Sequence, residues 1–168
     1  ALRKSIDKAD HPTVIRFSKG AIPADIPAEA AYDFADILKV NDQPDVCIVS
    51  IGGMATTAME VATTLQSSGY SVEVIDPVQV LPINESLISH LSDREYVVTI
   101  EDGLLDGGIG EAIGSALRTL NSNTRVTPLG IPKKFLDHAS RKSILHALKL
   151  DAQGITATIE QELKTTVR

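Results

Sequence analysis

The 168-residue sequence contains one cysteine, no tryptophan, three phenylalanines and three tyrosines. A single cysteine rules out an internal disulfide, which excludes the small cystine-stabilised folds of secreted proteins. Cys47 lies in the apolar run 46–49, where a thiol is expected to be buried as a small hydrophobic group. Because aromatic residues are scarce, the core must be built from aliphatic side chains.

The sequence also lacks long apolar runs and an excess of basic residues. No stretch approaches the ~20 apolar residues of a membrane-spanning helix, and no basic and then apolar leader opens the chain. The net charge is −6, and the basic residues are scattered, so a phosphate backbone would be repelled. We therefore expect a cytoplasmic protein that binds neither nucleic acid nor membrane.

The length of the chain suits one domain with a single core. Residues 1–20 combine a short helical pattern with a β-branched strand, and they are expected to belong to a preceding domain. Prolines and small residues mark 21–44 as a linker with a first edge strand. Residues 45–168 are expected to form the main domain. Since the chain begins at Ala1 inside a helical pattern, we expect it to be a piece of a longer protein.

Apolar strands alternate with amphipathic helices through the main domain. Strands are predicted at 46–51, 72–75, 96–100 and 126–129, and helices at 54–68, 84–91, 109–120, 140–149 and 152–167. Gly69 is expected to end the first of these helices and Asn84 to cap the second. This alternation predicts an α/β three-layer sandwich, with a mostly parallel sheet and helices on both faces.

Two glycine-rich turns resemble phosphate-binding loops. Gly108, Gly110 and Gly114 form a degenerate dinucleotide-binding pattern, but six residues separate it from the preceding strand, and the next strand does not end in an acid. Close packing of a helix on the sheet explains Gly110 and Gly114 better. The second turn, Gly52-Gly53, has no following lysine, so helix capping by Thr56 or Thr57 is favoured over anion binding.

Other polar groups offer no self-sufficient reaction centre. Glu101 and Asp102 follow an apolar strand, where open α/β sheets often place ligands, although solvated or capping roles are common for such acids. Asp137-His138 has no serine or cysteine in a nucleophile elbow to complete a triad. The four histidines, at positions 11, 90, 138 and 146, lack metal-ligand spacing.

Arg16 and Lys19 lie at the end of the first strand, beside the expected domain boundary. Two cations in this position could hold a substrate phosphate, because arginine offers a planar bidentate fork. A surface ion pair is the alternative, and composition alone does not separate the two.

Four segments, taken together, resemble the C-terminal part of the 1-deoxy-D-xylulose-5-phosphate synthase family. They are Val-Ile-Arg-Phe-Ser-Lys-Gly at 14–20, Val-Val-Thr-Ile-Glu-Asp at 97–102 with Gly-Gly-Ile-Gly at 107–110, Leu-Gly-Ile-Pro through Phe-Leu-Asp-His at 129–138, and Leu-Lys-Leu-Asp-Ala-Gln-Gly-Ile at 148–155. The glutamate with Gly-Gly-x-Gly is common to transketolase-like C-terminal domains. The last two segments are typical of a narrower group of proteins and indicate the synthase.

The resemblance implies a thiamine-diphosphate enzyme that uses Mg²⁺ to condense pyruvate with glyceraldehyde 3-phosphate, releasing CO₂ for isoprenoid precursor synthesis. In that family both cofactors are held by two upstream domains, so no cofactor, metal or catalytic residue is expected here. The domain is then structural: it packs against the pyrimidine-binding domain, to which residues 1–20 belong, and helps to form a homodimer.

One functional residue is transferred by the resemblance. Arg16 matches the first arginine of an Arg-Tyr-Pro-Arg-Gly-like segment that is associated with the phosphate of the aldehyde substrate. The sequence departs from that segment at Ser18 and Lys19, which puts a role for Lys19 in doubt. Two alternatives stay open: the C-terminal domain of another transketolase-like or 2-oxoacid dehydrogenase E1 β-type enzyme, and a nucleotide-binding Rossmann-like module.

Overall fold

A computed structural model describes residues 24–77 and 79–166. The strands in these residues are β1 (Ala30–Ala31), β2 (Asp36–Lys39), β3 (Val46–Ile51), β4 (Val72–Asp76), β5 (Tyr96–Leu104) and β6 (Arg125–Ile131). The helices are α1 (Ala55–Ser67), α2 (Glu85–Ser92), α3 (Ile109–Thr119), α4 (Arg141–Ala147) and α5 (Ala152–Thr166), and a 3₁₀ turn (Gly52–Met54) precedes α1. Within this part of the chain, every helix is too short or too polar to span a membrane.

The strands form one sheet in the order β1-β2-β4-β3-β5-β6. Strands β4, β3, β5 and β6 run parallel, whereas β2 is antiparallel to β4, and β1 is antiparallel to β2. The predicted, mostly parallel sheet is therefore confirmed. Residues 21–44, in which a first edge strand was expected, contribute both β1 and β2; the two-residue β1 forms the edge, and β2 lies second from it.

Helices cover both faces of the sheet, as predicted. On one face α1 and α5 pack on alternate strand residues; buried members of this cluster include Val46, Ile48, Ala58, Val61, Leu65, Val74, Val98, Ile155 and Ile159. On the other face α2 and α3 cover the intervening residues, among them Cys47, Val49, Ile75, Leu87, Leu91, Val97, Ile113 and Leu117. Each fully buried aliphatic side chain stabilises the fold by about 1.5–3 kcal/mol, so these two clusters hold the three layers together.

Local signals placed most helix ends correctly. The Asn84 side chain accepts a hydrogen bond from the Ser86 amide at 2.8 Å, and Gly69 has the left-handed φ of 92° that ends α1. Strand β5 is longer than predicted: it continues to Leu104, with an irregularity in its register to β6 after Ile100. The Glu-Asp-Gly sequence there has low β propensity, so pairing with β6 rather than local preference extends the strand.

Helix α3 lies close to the sheet at Gly110. A side-chain Cβ at Gly110 would collide with Thr99 Oγ1 and would lie 2.8 Å from Pro128 Cβ, both on the strands beneath. The same contact encloses the Thr99 hydroxyl, which has no hydrogen-bond partner. At Gly114 a Cβ would lie 3.9 Å from Val126, an ordinary distance. The predicted packing role is thus correct for Gly110, while Gly114 is not needed for a close approach.

A buried ion cluster joins β4 to the end of α2. The Glu73 carboxylate accepts from Arg94 Nε at 2.7 Å and from Arg94 Nη2 at 3.1 Å, and His90 Nε2 lies 3.0 Å from Glu73 Oε1. The side chains of Glu73 and Arg94 are only 3% and 13% exposed. Burial favours the neutral form of Glu73, but its hydrogen bonds with His90 and Arg94 outweigh burial and lower its pKa.

Replacing Gly110 and Gly114 separately tests the packing of α3. Gly110→Ala should lower the free energy of unfolding by about 1–3 kcal/mol, because the added methyl group forces the helix away from Thr99 and Pro128. Gly114→Ala is the matched control; it should be neutral or stabilising by up to about 1 kcal/mol, since alanine is the better helix former. Urea denaturation measures both, and equal effects would contradict the packing role.

Glu73→Gln should lower the free energy of unfolding at pH 7 by about 3 kcal/mol, because it leaves Arg94 buried without its counter-charge. A lowered carboxyl pKa stabilises the folded state only while the carboxyl is ionised. The difference from wild type should therefore be complete above about pH 4.3 and shrink as the pH falls through the lowered pKa. Glu160→Gln, at an exposed pair with Lys164, should leave the denaturation midpoint unchanged. A pH-independent difference for Glu73 would contradict this assignment.

Candidate functional site

The carboxyl ends of β3, β4, β5 and β6 lie at one edge of the sheet, since the four strands are parallel. Ligands of open α/β sheets usually bind at this edge. The 3₁₀ turn Gly52–Met54, the end of β5 and the beginnings of α3 and α4 meet here. This edge is therefore the candidate site, and its side chains decide which ligands it could accept.

Glu101 occupies the position at which a Rossmann fold would hold a phosphate. The residue is only 6% exposed, and its carboxylate accepts a hydrogen bond from the Gly110 amide, in the first turn of α3, at 3.2 Å. A Cβ at Gly108 would collide with Glu101 Oε1 and with the Leu104 carbonyl. The Gly110 amide at the start of α3 thus binds the protein's own carboxylate, and the negative charge would repel a pyrophosphate.

Asp102 pairs with a residue that the sequence analysis did not single out. Arg141, the first residue of α4, donates from Nη2 and Nε to Asp102 Oδ2 at 2.7 and 3.1 Å. The same Nη2 lies 3.6 Å from Met54 Sδ. Asp102 is thus neither an isolated solvated group nor a cap, because it ties α4 to the end of β5. The partners are 39 positions apart in the sequence, so no local pattern could have revealed the pair.

The Gly52-Gly53 turn differs from the prediction. Gly52 takes a positive φ of 62°, and α1 begins directly after the 3₁₀ turn without a side-chain cap. The expected capping by Thr56 or Thr57 is therefore wrong. Both threonines lie inside the first turn of the helix, downstream of the position from which a cap could accept the amide hydrogens.

Two carboxylates oppose one another beside this turn. Asp36 and Asp76 are register partners across β2 and β4, and together with Asp25, Gly52 and Gly53 they line a common recess. Burial and the nearby charge of Asp36 both raise the pKa of Asp76. No cation from the described residues forms an ion pair with Asp36 or Asp76. The recess is negative, so it does not suit a phosphate.

The three histidines in the described residues are not arranged around a metal ion. His90 contacts Glu73, His146 Nδ1 lies 2.6 Å from Asp151 Oδ2, and His138 is exposed beside Asp137 on the loop after β6. The described ranges contain no group of three potential metal ligands. The Asp151 carboxylate also accepts from the Gly154 amide at 2.9 Å, so the Asp-Ala-Gln-Gly segment begins α5.

Cys47 is buried, as predicted. Burial raises the pKa of its thiol well above the ordinary value, and the neighbouring Glu73 raises it further. The thiol therefore stays protonated and serves as a core group. Arg16 and Lys19, the predicted phosphate ligands, lie outside the described residues, as does His11; their role stays a prediction.

Comparison with known proteins agrees with the architecture. Residues 35–155 match the family described as "Transketolase, C-terminal domain". Among solved structures, a split-gene transketolase in the form of an inactive β4 tetramer superposes with a TM-score of 0.71 at 23% identity, covering 84% of this chain and 46% of that one. A Campylobacter jejuni transketolase gives a TM-score of 0.53 at 15% identity, covering 85% and 20%. These two likenesses concern the fold alone.

Curated relatives are closer in sequence. The 1-deoxy-D-xylulose-5-phosphate synthase of Rhodococcus erythropolis is 43% identical over 165 residues, which cover 94% of this chain and 26% of the relative. The synthase of Rhodococcus jostii is 42% identical over 164 residues, which cover 94% and 25%. The chain thus spans about a quarter of the length of these relatives. With the family match over residues 35–155, the chain belongs to the transketolase C-terminal domain family.

Proposed function

We propose that this chain is the C-terminal domain of a thiamine-diphosphate-dependent synthase that condenses pyruvate with glyceraldehyde 3-phosphate to 1-deoxy-D-xylulose 5-phosphate. The identity of 43% to the Rhodococcus erythropolis synthase extends over nearly the whole chain and supports this. The segments at 129–138 and 148–155 are typical of the synthase, so they support it over other transketolase-like enzymes. In this proposal the product feeds isoprenoid precursor synthesis.

The described residues do not fit thiamine diphosphate or its Mg²⁺ ion. A diphosphate needs donors and positive charge, but Glu101 already accepts from the Gly110 amide of α3, and Asp36 and Asp76 lie beside the start of α1. A Mg²⁺ site needs several converging oxygen ligands, and the described part of the chain holds no such group of side chains. We therefore assign both cofactors to the upstream domains of the same enzyme.

The role of this domain is structural. The observation that carries this proposal is that the chain's own side chains, Glu101 and the Asp102–Arg141 pair, occupy the edge of the sheet where a ligand would bind. The domain packs against the upstream domains of its own chain and contributes to a homodimer. Residues 1–20 belong to the preceding pyrimidine-binding domain, and 21–44 link the two.

Arg16 is the residue of this chain that reaches the substrate. It holds the phosphate of glyceraldehyde 3-phosphate through a charge-assisted hydrogen bond, and Lys19 contributes less because a lysine lacks the bidentate fork. The chemistry itself is supplied by the cofactor, and the protein positions the substrates.

The isolated 168-residue chain should neither bind thiamine diphosphate in the presence of Mg²⁺ nor release CO₂ from pyruvate. Calorimetric titration with the cofactor measures the first property, and a CO₂ assay measures the second. The intact enzyme is the positive control in both. Saturable cofactor binding or turnover by the chain alone would contradict the assignment of the cofactor sites to other domains.

Arg16→Ala in the intact enzyme should raise KM for glyceraldehyde 3-phosphate far more than KM for pyruvate. Loss of a charge-assisted contact costs about 1.5–3 kcal/mol, which is roughly 10- to 150-fold in kcat/KM. Arg16→Lys should recover part of the loss, because the charge remains. Lys142→Ala, at an exposed position on α4, is the control and should leave both constants unchanged. Equal effects on the two substrates would reject the phosphate role.

A further inference from the structure

The outward face of α3 has a small residue between two opposite charges. The inward residues are buried against the sheet: Gly110, Ile113, Gly114 and Leu117. The exposed stripe on the other side is Glu111, Ser115 and Arg118, which recur at the i, i+4, i+7 spacing of one helix face. Glu111 and Arg118 are the only charged residues of the helix. A surface helix usually displays more charge, so this face could be covered by a partner at a low cost in lost solvation.

Within the described part of the chain, neither charged residue of this stripe forms an ion pair. The Arg118 guanidinium lies over Gly114, 3.4 Å from the position of a Cβ on that glycine. Glu111 accepts one hydrogen bond, from the Gly107 amide to Oε2 at 2.8 Å. Both side chains can therefore accept an external partner of opposite charge.

The stripe borders an open recess at the edge of the sheet. Gly110, Glu111, Ser115, Arg118, Val126 and Pro128 line it, and its volume is about 550 Å³. Because α3 has glycines at 110 and 114, Val126 and Pro128 of β6, the outermost strand on this side, remain accessible in the recess. Pro128 lacks an N–H group in the middle of that strand, so the edge is a poor template for an added strand. A helix is the better occupant.

The arrangement of charge is complementary to itself. Glu111 and Arg118 are equally far along the helix from the point between Gly114 and Ser115. If two copies of α3 cross antiparallel at that point, Glu111 of each copy faces Arg118 of the other. Ser115 is small, so the two helix axes can approach closely. A two-fold contact of this kind repeats the same ion pair twice.

We propose that the α3 stripe, Glu111–Ser115–Arg118, is a homodimer contact in which two copies of this domain pack α3 against α3 about a two-fold axis. The proposal rests on the homodimer included in the proposed function, and it names the surface that forms it. Electrostatic complementarity sets the antiparallel orientation, and the small Ser115 side chain allows a close approach.

Charge reversal in the 168-residue chain tests this contact. Sedimentation equilibrium measures the dimer dissociation constant for wild type, Glu111→Lys and Arg118→Glu. Each single variant places like charges in contact twice and should weaken the dimer about 10- to 100-fold. An equimolar mixture of the two variants should restore the wild-type constant, because the heterodimer regains both opposite-charge pairs. Lys142→Glu, which reverses an exposed charge on α4, should have no effect.

Two further readouts keep the result interpretable. Glu111 also accepts a hydrogen bond from the Gly107 amide, which Glu111→Lys removes. Thermal unfolding followed by circular dichroism therefore checks that each variant is folded. Arg118→Glu tests the dimer contact while leaving the Gly107–Glu111 hydrogen bond in place. Raising the salt concentration should weaken the wild-type dimer, since exposed charges are screened.

Three outcomes would overturn the contact. These are a wild-type chain that stays monomeric, folded variants that dimerise like wild type, and a mixture of variants that does not recover. The last result would indicate that the substitutions weaken the dimer by a route other than the Glu111–Arg118 pairs. None of these outcomes bears on the substrate preference of the Arg16→Ala enzyme, so failure of this contact and failure of the proposed function are distinguishable.

Discussion

The buried carboxylate of Glu101 constrains the whole carboxyl edge of the sheet. A charge at 6% exposure is costly unless hydrogen-bond donors and a favourable field surround it. The first turn of α3 supplies both, through the Gly110 amide and the positive end of the helix dipole. This contact requires α3 to approach β5 closely, which only glycine permits at positions 108 and 110. The Glu-x₆-Gly-x-Gly spacing is therefore a packing requirement.

The same interaction supports the proposal that the domain is a scaffold. An α/β sheet normally leaves helix N-termini at its carboxyl edge available for anions. Here Glu101 occupies one such N-terminus, the Asp102–Arg141 pair bridges the neighbouring strand to α4, and opposed aspartates lie beside the start of α1. A sheet edge occupied in this way does not suit a diphosphate, which supports our proposal that other domains of the enzyme hold the cofactor.

The outward side of α3 is the surface that we propose for dimer formation. Gly110 lets the helix lie close to the sheet, and the outer face of the helix presents Ser115 between one acid and one base. The inner side of the helix thus packs on the sheet, and the outer side is the surface through which we propose that two copies meet. The buried Glu73–Arg94–His90 cluster, on β4 and the end of α2, stabilises the same helical layer without contributing a site.

The sequence by itself determined the elements and the fold class. Apolar periodicity, the Asn84 cap and the glycine after α1 are local signals, so the helices and the parallel core strands could be predicted from them. A buried role for Glu73 also had a signal, since a charge inside an apolar strand needs a partner. The identity of that partner could not be predicted from the sequence, because Arg94 lies 21 positions away, after α2.

Only the tertiary structure decided the long-range pairs. The extension of β5 depends on β6, the Asp102–Arg141 pair joins residues 39 positions apart, and the opposition of Asp36 and Asp76 follows from an antiparallel register. The role of Glu101 likewise depended on where α3 begins in space. Sequence periodicity reports which face of an element is buried, but it carries no information about which other element lies there, and that determines the chemistry of an edge.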